Sequence, residues 1–214
     1  MILIRGNDVE ASGKWIAADI KSSDFADEIY FDSIQEIDYD DWRLILVNFE
    51  NPIPSDFNPE LVALDNGQRV DVRIFEPLTE MLASARSQGL YMEVNSGFRC
   101  VEQQQYMFDY RMNYWMATGL DHQQAFEKTT RLLAYPGTSE HHLGLAVDIL
   151  GEENWVWLRE NSPNYGFILR YPEGSGDITG VAYEPWHFRY VGIEFAIEIT
   201  SRGITLEEFL GRIP

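Results

Sequence analysis

The chain has 214 residues, 45% of them hydrophobic and 14% aromatic, enough for a single domain with a sizeable core and unlike the composition of a disordered chain. Against 35 acidic residues stand only 16 basic ones, a formal net charge of −19 that disfavours nucleic acid and anionic lipid surfaces as partners. The single cysteine, Cys100, rules out an intrachain disulfide, and no stretch approaches the roughly 18 apolar residues of a membrane span.

The opening MILIRGNDVE has a short apolar start and then turns polar, so it does not read as a secretory signal. Residues 1–41 are acidic and weakly patterned, an N-terminal arm or extra layer ahead of a domain over 42–214. Leu44 to Phe49 (LILVNF) reads as a buried strand, stopped by the three prolines of NPIPSDFNP. Over residues 71–88, Ile74, Leu78, Met81, Leu82 and Ala85 recur at helical spacing, with Gly89 placed to end the helix. Tyr91 to Val94 reads as a short strand leading into Ser96-Gly97, and a second helix runs from Val101 to Met116. Its aromatics Tyr106, Phe108, Tyr110, Tyr114 and Trp115 fit core packing by helical spacing, a glycan groove being the other use. Asp121 caps a third helix carrying Ala125, Phe126, Leu132 and Leu133.

Tyr135 to Gly144 is a loop, and Leu145 to Leu150 a core strand broken in its apolar character by Asp148 alone. Asn154 to Asn161 reads as a short helix, Tyr165 to Tyr171 as a strand and PEGSGDITG as a turn. Val181 to Val191 reads as a strand interrupted by Pro185, which suggests an edge or a bulge. The C-terminus is helical, with Thr205 and Glu208 in a capping-box pattern. Helices first and short strands after, without βαβ alternation, predict an α+β fold with a mainly antiparallel sheet.

The chemistry concentrates in SEHHLGLAVDIL. An ionised Asp148 in an apolar strand is costly unless paired or metal-bound. His141 lies seven residues upstream, across a glycine that permits close approach, and EPWHFRYV adds Glu184 and His187. Two imidazoles and one carboxylate make a zinc site with a position left open for water. A glutamate outside the ligand set is what a metallopeptidase uses to take that water's proton. On spacing alone, a salt-bridged Asp148 with two ordinary polar histidines explains the pattern equally well.

The ordered set of blocks goes further. Ser139, His141, Gly144, Ala146 and Asp148 spell SxHxxGxAxD, and Glu184 and His187 spell ExxH. SGFR at 96–99 is followed by Gln104 on a helix, and NYGFILRYP and DITG come in order after it. Together these resemble the VanY-type D-alanyl-D-alanine carboxypeptidases, within the superfamily of lysostaphin, D-Ala-D-Ala metallopeptidases and sonic hedgehog, over about residues 42–210. The resemblance implies a hedgehog/D-Ala-D-Ala-peptidase-like sheet carrying Zn2+ on His141, Asp148 and His187. It implies Glu184 as general base and Arg99 on the scissile carbonyl oxygen or the substrate carboxylate. Ser139, Gln104 and Ser96 would line the pocket. Pro185 would turn the chain so that Glu184 and His187 both reach the metal, since residues three apart on a regular strand face opposite sides. His142, Cys100 and Phe98 depart from the residues usual in these blocks, and His142 is expected to point away from His141.

The implied activity is release of the terminal D-alanine from peptidoglycan stem peptides, at the cell envelope. L,D-cleavage of tetrapeptide stems and cytoplasmic hydrolysis of free D-Ala-D-Ala share the same motifs. A catalytically silent, zinc-stabilised binding module is the reading from another class, and Glu184 and Arg99 speak against it.

Overall fold

A computed structural model describes residues 41–212; the acidic arm over 1–41 lies, but for its last residue, outside them. Among the described residues the first strands are β1 (Leu61–Ala63) and β2 (Arg69–Asp71), a small antiparallel pair, followed by α1 (Val72–Ser87). Asp71 caps α1, its carboxylate accepting the Arg73 N–H at 2.9 Å. The apolar stripe read from the sequence is the buried one, with Ile74, Leu78, Met81 and Ala85 fully enclosed. Next come β3 (Glu93–Ser96), α2 (Val101–Ala117) and α3 (His122–Thr130). Asp121 caps α3 with Gln124 in a reciprocal box. The helix stops at Thr130, short of Leu132 and Leu133, and packs Ala125 against Phe108 and Met112 of α2.

A 3-10 turn over Glu140–Leu143 leads into β4 (Ala146–Leu150), then α4 (Trp155–Asn161), β5 (Phe167–Leu169), one-turn α5 (Gly176–Thr179), β6 (His187–Tyr190), α6 (Ile193–Arg202) and α7 (Leu206–Phe209). Four strands form one antiparallel sheet in the order β3-β4-β6-β5. The mixed helices and antiparallel strands are the α+β architecture expected. Alternation, shifted in β3 by an irregularity between Val94 and Ser96, divides the sheet into two faces. Val94, Val147, Ile149, Phe167 and Phe188 join the α1 stripe in the main core. The other face carries Ser96, Asp148 and His187, placed side by side by the register Ser96↔Asp148↔His187.

Two strand expectations are corrected. LILVNF is not a strand: Leu44, Leu46 and Val47 are buried, but only a 3-10 turn at Trp42–Leu44 is regular. In place of a ladder, the Arg189 guanidinium donates to the Ile45 carbonyl at 2.9 Å and to that of the preceding Arg43 at 3.0 Å, and Asn48 and Asn51 exchange backbone hydrogen bonds in a turn. The strand read over 181–191 starts only at His187, and it lies inside the sheet, between β4 and β5, rather than at an edge. Pro185 precedes it in a turn closed by the His187 N–H donating to the Glu184 carbonyl at 3.2 Å.

Candidate metal centre and active site

The site is built where three segments meet the polar face of the sheet. The first is residues 96–99 after β3. The second is the 3-10 turn at 140–143, and the third is the turn before β6. Two glycines allow this. Gly144 has φ 69°, and a Cβ there would sit 2.9 Å from the Asp71 backbone nitrogen, which itself donates to the Gly144 carbonyl at 3.0 Å. A Cβ at Gly97 would collide with the Arg69 carbonyl. Only glycine fits either close approach.

A clasp of hydrogen bonds joins the first two segments. His141 Nδ1 lies 2.8 Å from the Gly97 carbonyl, and the Arg99 N–H donates to the His141 carbonyl at 3.1 Å. His142 is buried and structural. Its Nδ1 sits 2.6 Å from the Arg99 carbonyl, and its Nε2 accepts the Gly137 N–H at 3.2 Å.

With Nδ1 committed to Gly97, His141 turns Nε2 toward Asp148 Oδ2 at 3.3 Å. His187 approaches the other carboxylate oxygen, Nδ1 to Oδ1, at 3.1 Å. One donor atom from each of His141, Asp148 and His187 lies within 4.8 Å of the others. Asp148 Oδ1 and His187 Nε2 are buried with no hydrogen-bond partner among the described residues. Burial holds His141 below the ordinary histidine range, so it offers a lone pair. Burial opposes the charge of Asp148, but the two imidazoles hold its carboxyl well below the usual range. Two imidazoles and a carboxylate whose donor atoms lie this close fit the ligand set of Zn2+.

Glu184 stands outside this trio, off the strand, with Oε2 3.6 Å from His187 Nδ1. Burial pushes its carboxyl up from 4.5 to about 7, with His187 opposing and Asp148 adding to the rise. That is the range in which a general base works best at neutral pH. Arg99 reaches the site from the other side, Nη2 3.9 Å from Asp148 Oδ2. Its Nη1 donates to Gln104 Oε1 at 2.7 Å and its Nη2 to Ser96 Oγ at 2.8 Å. Three of the five guanidinium N–H groups have no hydrogen-bond partner among the described residues and can serve a ligand.

Of the residues expected to line the pocket, Gln104 and Ser139 are buried and Ser96 borders a groove. Gln104 is fully buried behind Arg99, its amide nitrogen spent on the Ala134 carbonyl. Ser96 shares its hydroxyl with Arg99 and borders an open groove of about 480 Å³ with Gln68, Phe98 and Tyr106. Ser139 is buried at the head of the 3-10 turn. Phe108 packs in the core as expected, but Tyr106, Tyr110 and Tyr114 are 74%, 66% and 50% exposed, on the solvent side of α2.

Sequence reasoning missed a buried quartet beneath the metal face. Glu140 Oε1 accepts from Arg170 Nε and Arg189 Nη1, both at 2.8 Å, and Arg170 also forks onto Glu207 at 2.9 and 2.6 Å. The signal was present: Arg170 and Arg189 sit in the apolar runs FILRY and HFRYV, where a charge requires a partner, the same logic that singled out Asp148.

Against known proteins, the family model described as VanY, D-alanyl-D-alanine carboxypeptidase, matches residues 67–193. The chain belongs to this family. A D-alanyl-D-alanine carboxypeptidase of Enterococcus faecalis is 47% identical over 180 residues, 81% of this chain and 67% of that protein. Among solved structures, VanYB in complex with D-Ala-D-Ala is 47% identical with a TM-score of 0.77, covering 79% of this chain and 98% of the other. A VanY mutant from a VanB-type resistance cassette, in complex with Zn(II), is 48% identical with a TM-score of 0.76, covering 79% and 99%. The metal in that relative is Zn(II), and in this chain His141, Asp148 and His187 form a cluster that could hold a metal ion.

Proposed function

We propose that residues 42–214 form a D,D-carboxypeptidase domain that releases the terminal D-alanine from peptidoglycan stem peptides, working at the cell envelope. The observation that carries this reading is the placement of Glu184. It is held by the turn at Pro185 beside, but outside, the His141–Asp148–His187 trio, with Oε2 3.6 Å from His187 Nδ1. A silent zinc-stabilised module has no need of such a group. The related proteins named for D-Ala-D-Ala, and the VanYB complex with that dipeptide, support the substrate class.

His141 Nε2, His187 Nδ1 and an Asp148 oxygen hold the zinc in this reading. When bound, zinc lowers the pKa of its water and polarises the carbonyl to be attacked. Glu184 takes the proton of the attacking water as its oxygen bonds to the carbonyl carbon of the penultimate residue. The same carboxyl then hands that proton to the leaving nitrogen as the C–N bond breaks. Arg99, braced by Gln104 and Ser96, presents its remaining N–H donors to the developing oxyanion or to the substrate carboxylate. A D-alanine side chain offers little apolar surface, so selectivity rests on such polar contacts, and a site with unmatched donors rejects a ligand lacking their acceptor.

The test is alanine release from pentapeptide stem, tetrapeptide stem, free D-Ala-D-Ala and an amidated pentapeptide by zinc-loaded enzyme. Fast cleavage of the pentapeptide alone is expected. Preference for the tetrapeptide makes it an L,D-enzyme, and preference for the dipeptide a dipeptidase. Equal cleavage of the amidated peptide overturns carboxylate recognition.

A further inference from the structure

We infer that Glu140 is a positioning residue for the metal centre: locked by Arg170 and Arg189, it orients His187 and fixes which of its ring nitrogens faces the metal. The inference rests on the zinc-site reading above and goes one shell beneath it. Glu140 is fully buried, and its Oε1 is pinned by two guanidinium donors at 2.8 Å each. That leaves Oε2 aimed at His187 Nε2, 3.7 Å away. Both of these atoms are buried and lack a hydrogen-bond partner among the described residues.

The lock decides the chemistry of the pair. Between two buried guanidinium groups Glu140 is an acceptor only, since a proton on it would leave both arginine charges without a counter-charge. A lone pair on His187 Nε2 would face carboxylate lone pairs and be repelled. With zinc taking the lone pair of Nδ1, the nitrogen 3.1 Å from Asp148 and 3.6 Å from Glu184, the proton of the neutral ring belongs on Nε2, facing Glu140. His141 is set the opposite way, with Nδ1 toward the Gly97 carbonyl and Nε2 toward Asp148. The two metal-facing nitrogens are thus selected by two different acceptors, a backbone carbonyl for one ring and the Glu140 carboxylate for the other. Loss of such an outer partner typically weakens metal affinity 10–100-fold.

The control is built into the quartet. Glu207 shares Arg170 with Glu140, forking onto it at 2.9 and 2.6 Å. Removing its charge disturbs the same buried network without touching a carboxylate that faces His187. Zinc affinity is measured by competition with a chelator of known strength in wild type, Glu140→Gln and Glu207→Gln, with unfolding midpoints of the metal-free proteins beside it. We expect both variants to lose stability, Glu140→Gln alone to lose zinc affinity 10–100-fold, and Glu207→Gln to stay within about threefold of wild type. Equal loss of zinc affinity in both variants, or none in Glu140→Gln, overturns the inference while leaving the zinc site intact. Absence of stoichiometric zinc in wild type removes the site, and this inference with it.

Should Glu140→Gln fail to fold, wild type decides. In zinc-loaded protein labelled with 15N-histidine, His187 should carry its proton on Nε2. That proton should lie further downfield than the His141 Nδ1 proton bound to the Gly97 carbonyl, because its acceptor is charged. A His187 proton on Nδ1, or an Nε2 proton no further downfield than that of His141, refutes it.

Discussion

Replacing Glu184 by Gln should stabilise the metal-free protein while abolishing most of its activity. The side chain is only 15% exposed, and burial raises its carboxyl from 4.5 to about 7. A group whose folded-state pKa lies above its unfolded value holds its proton longer in the folded protein. Its favourable contribution is complete below about pH 4.5 and is lost as pH rises through 7. Above that point the buried charge costs at most about 3–4 kcal/mol, from about 1.36 kcal/mol per pKa unit. Gln matches the protonated acid in shape and never ionises. Urea unfolding of chelator-treated wild type and Glu184→Gln should show a small gap at pH 5 that widens by about 2 kcal/mol in favour of the variant at pH 8. Zinc-loaded Glu184→Gln should keep its metal and lose kcat by about 10²–10⁴. A gap that does not change with pH, or a variant less stable than wild type at pH 8, refutes the claim that Glu184 is held near neutrality by burial. Near-normal turnover shows that another group is the base.

Other perturbations follow from the contacts around Arg99. Arg99→Ala should slow catalysis by about 2.7–4 kcal/mol if one oxyanion donor is lost, and Arg99→Lys should recover little of it, because the fork onto Gln104 and Ser96 needs two nitrogens; full activity in the lysine variant reduces the role to simple charge. Gln104→Leu should lower stability by about 1–3 kcal/mol, measured by urea unfolding, by leaving the Ala134 carbonyl and an arginine N–H unmatched. Its kcat should fall less than that of Arg99→Ala, and an equal or larger fall would mean that Gln104 itself touches substrate. His142→Ala should retain zinc by metal analysis but unfold at lower urea, since it removes one bond to the Arg99 carbonyl and one to the Gly137 N–H; loss of zinc there would shift the ligand assignment by one residue.

Much of the site was legible because burial and charge conflict in the sequence itself. Asp148 stands out in an apolar strand, and Gly144 is the residue whose positive φ and contact with the Asp71 backbone let the 3-10 turn meet the sheet. The turn at Pro185 was expected, and it frees Glu184 from the strand alternation that would have aimed it away from His187. What the sequence hid depends on distant partners. LILVNF has the composition of a strand, yet its Ile45 carbonyl is taken by Arg189, more than 140 residues away. Gln104 sits one helical turn into α2, where lining a pocket and bracing Arg99 from behind look alike until the helix is packed against Ala134. Helical spacing likewise failed to separate Phe108, which faces α3, from Tyr106, Tyr110 and Tyr114, which face solvent, because all four are aromatic and a hydrophobic count treats them alike.

The central claim is that His141, Asp148 and His187 hold one zinc on which D-alanine release depends. It is tested most directly by metal analysis alongside alanine release from pentapeptide stem, in wild type, His141→Ala, Asp148→Asn and His187→Ala. Wild type should carry one zinc per chain, lose activity with the metal under a strong chelator, and regain both on adding zinc back, while each variant binds less than stoichiometric metal and releases no alanine. Full activity in metal-free wild type, or stoichiometric zinc retained by His141→Ala and His187→Ala, would contradict it.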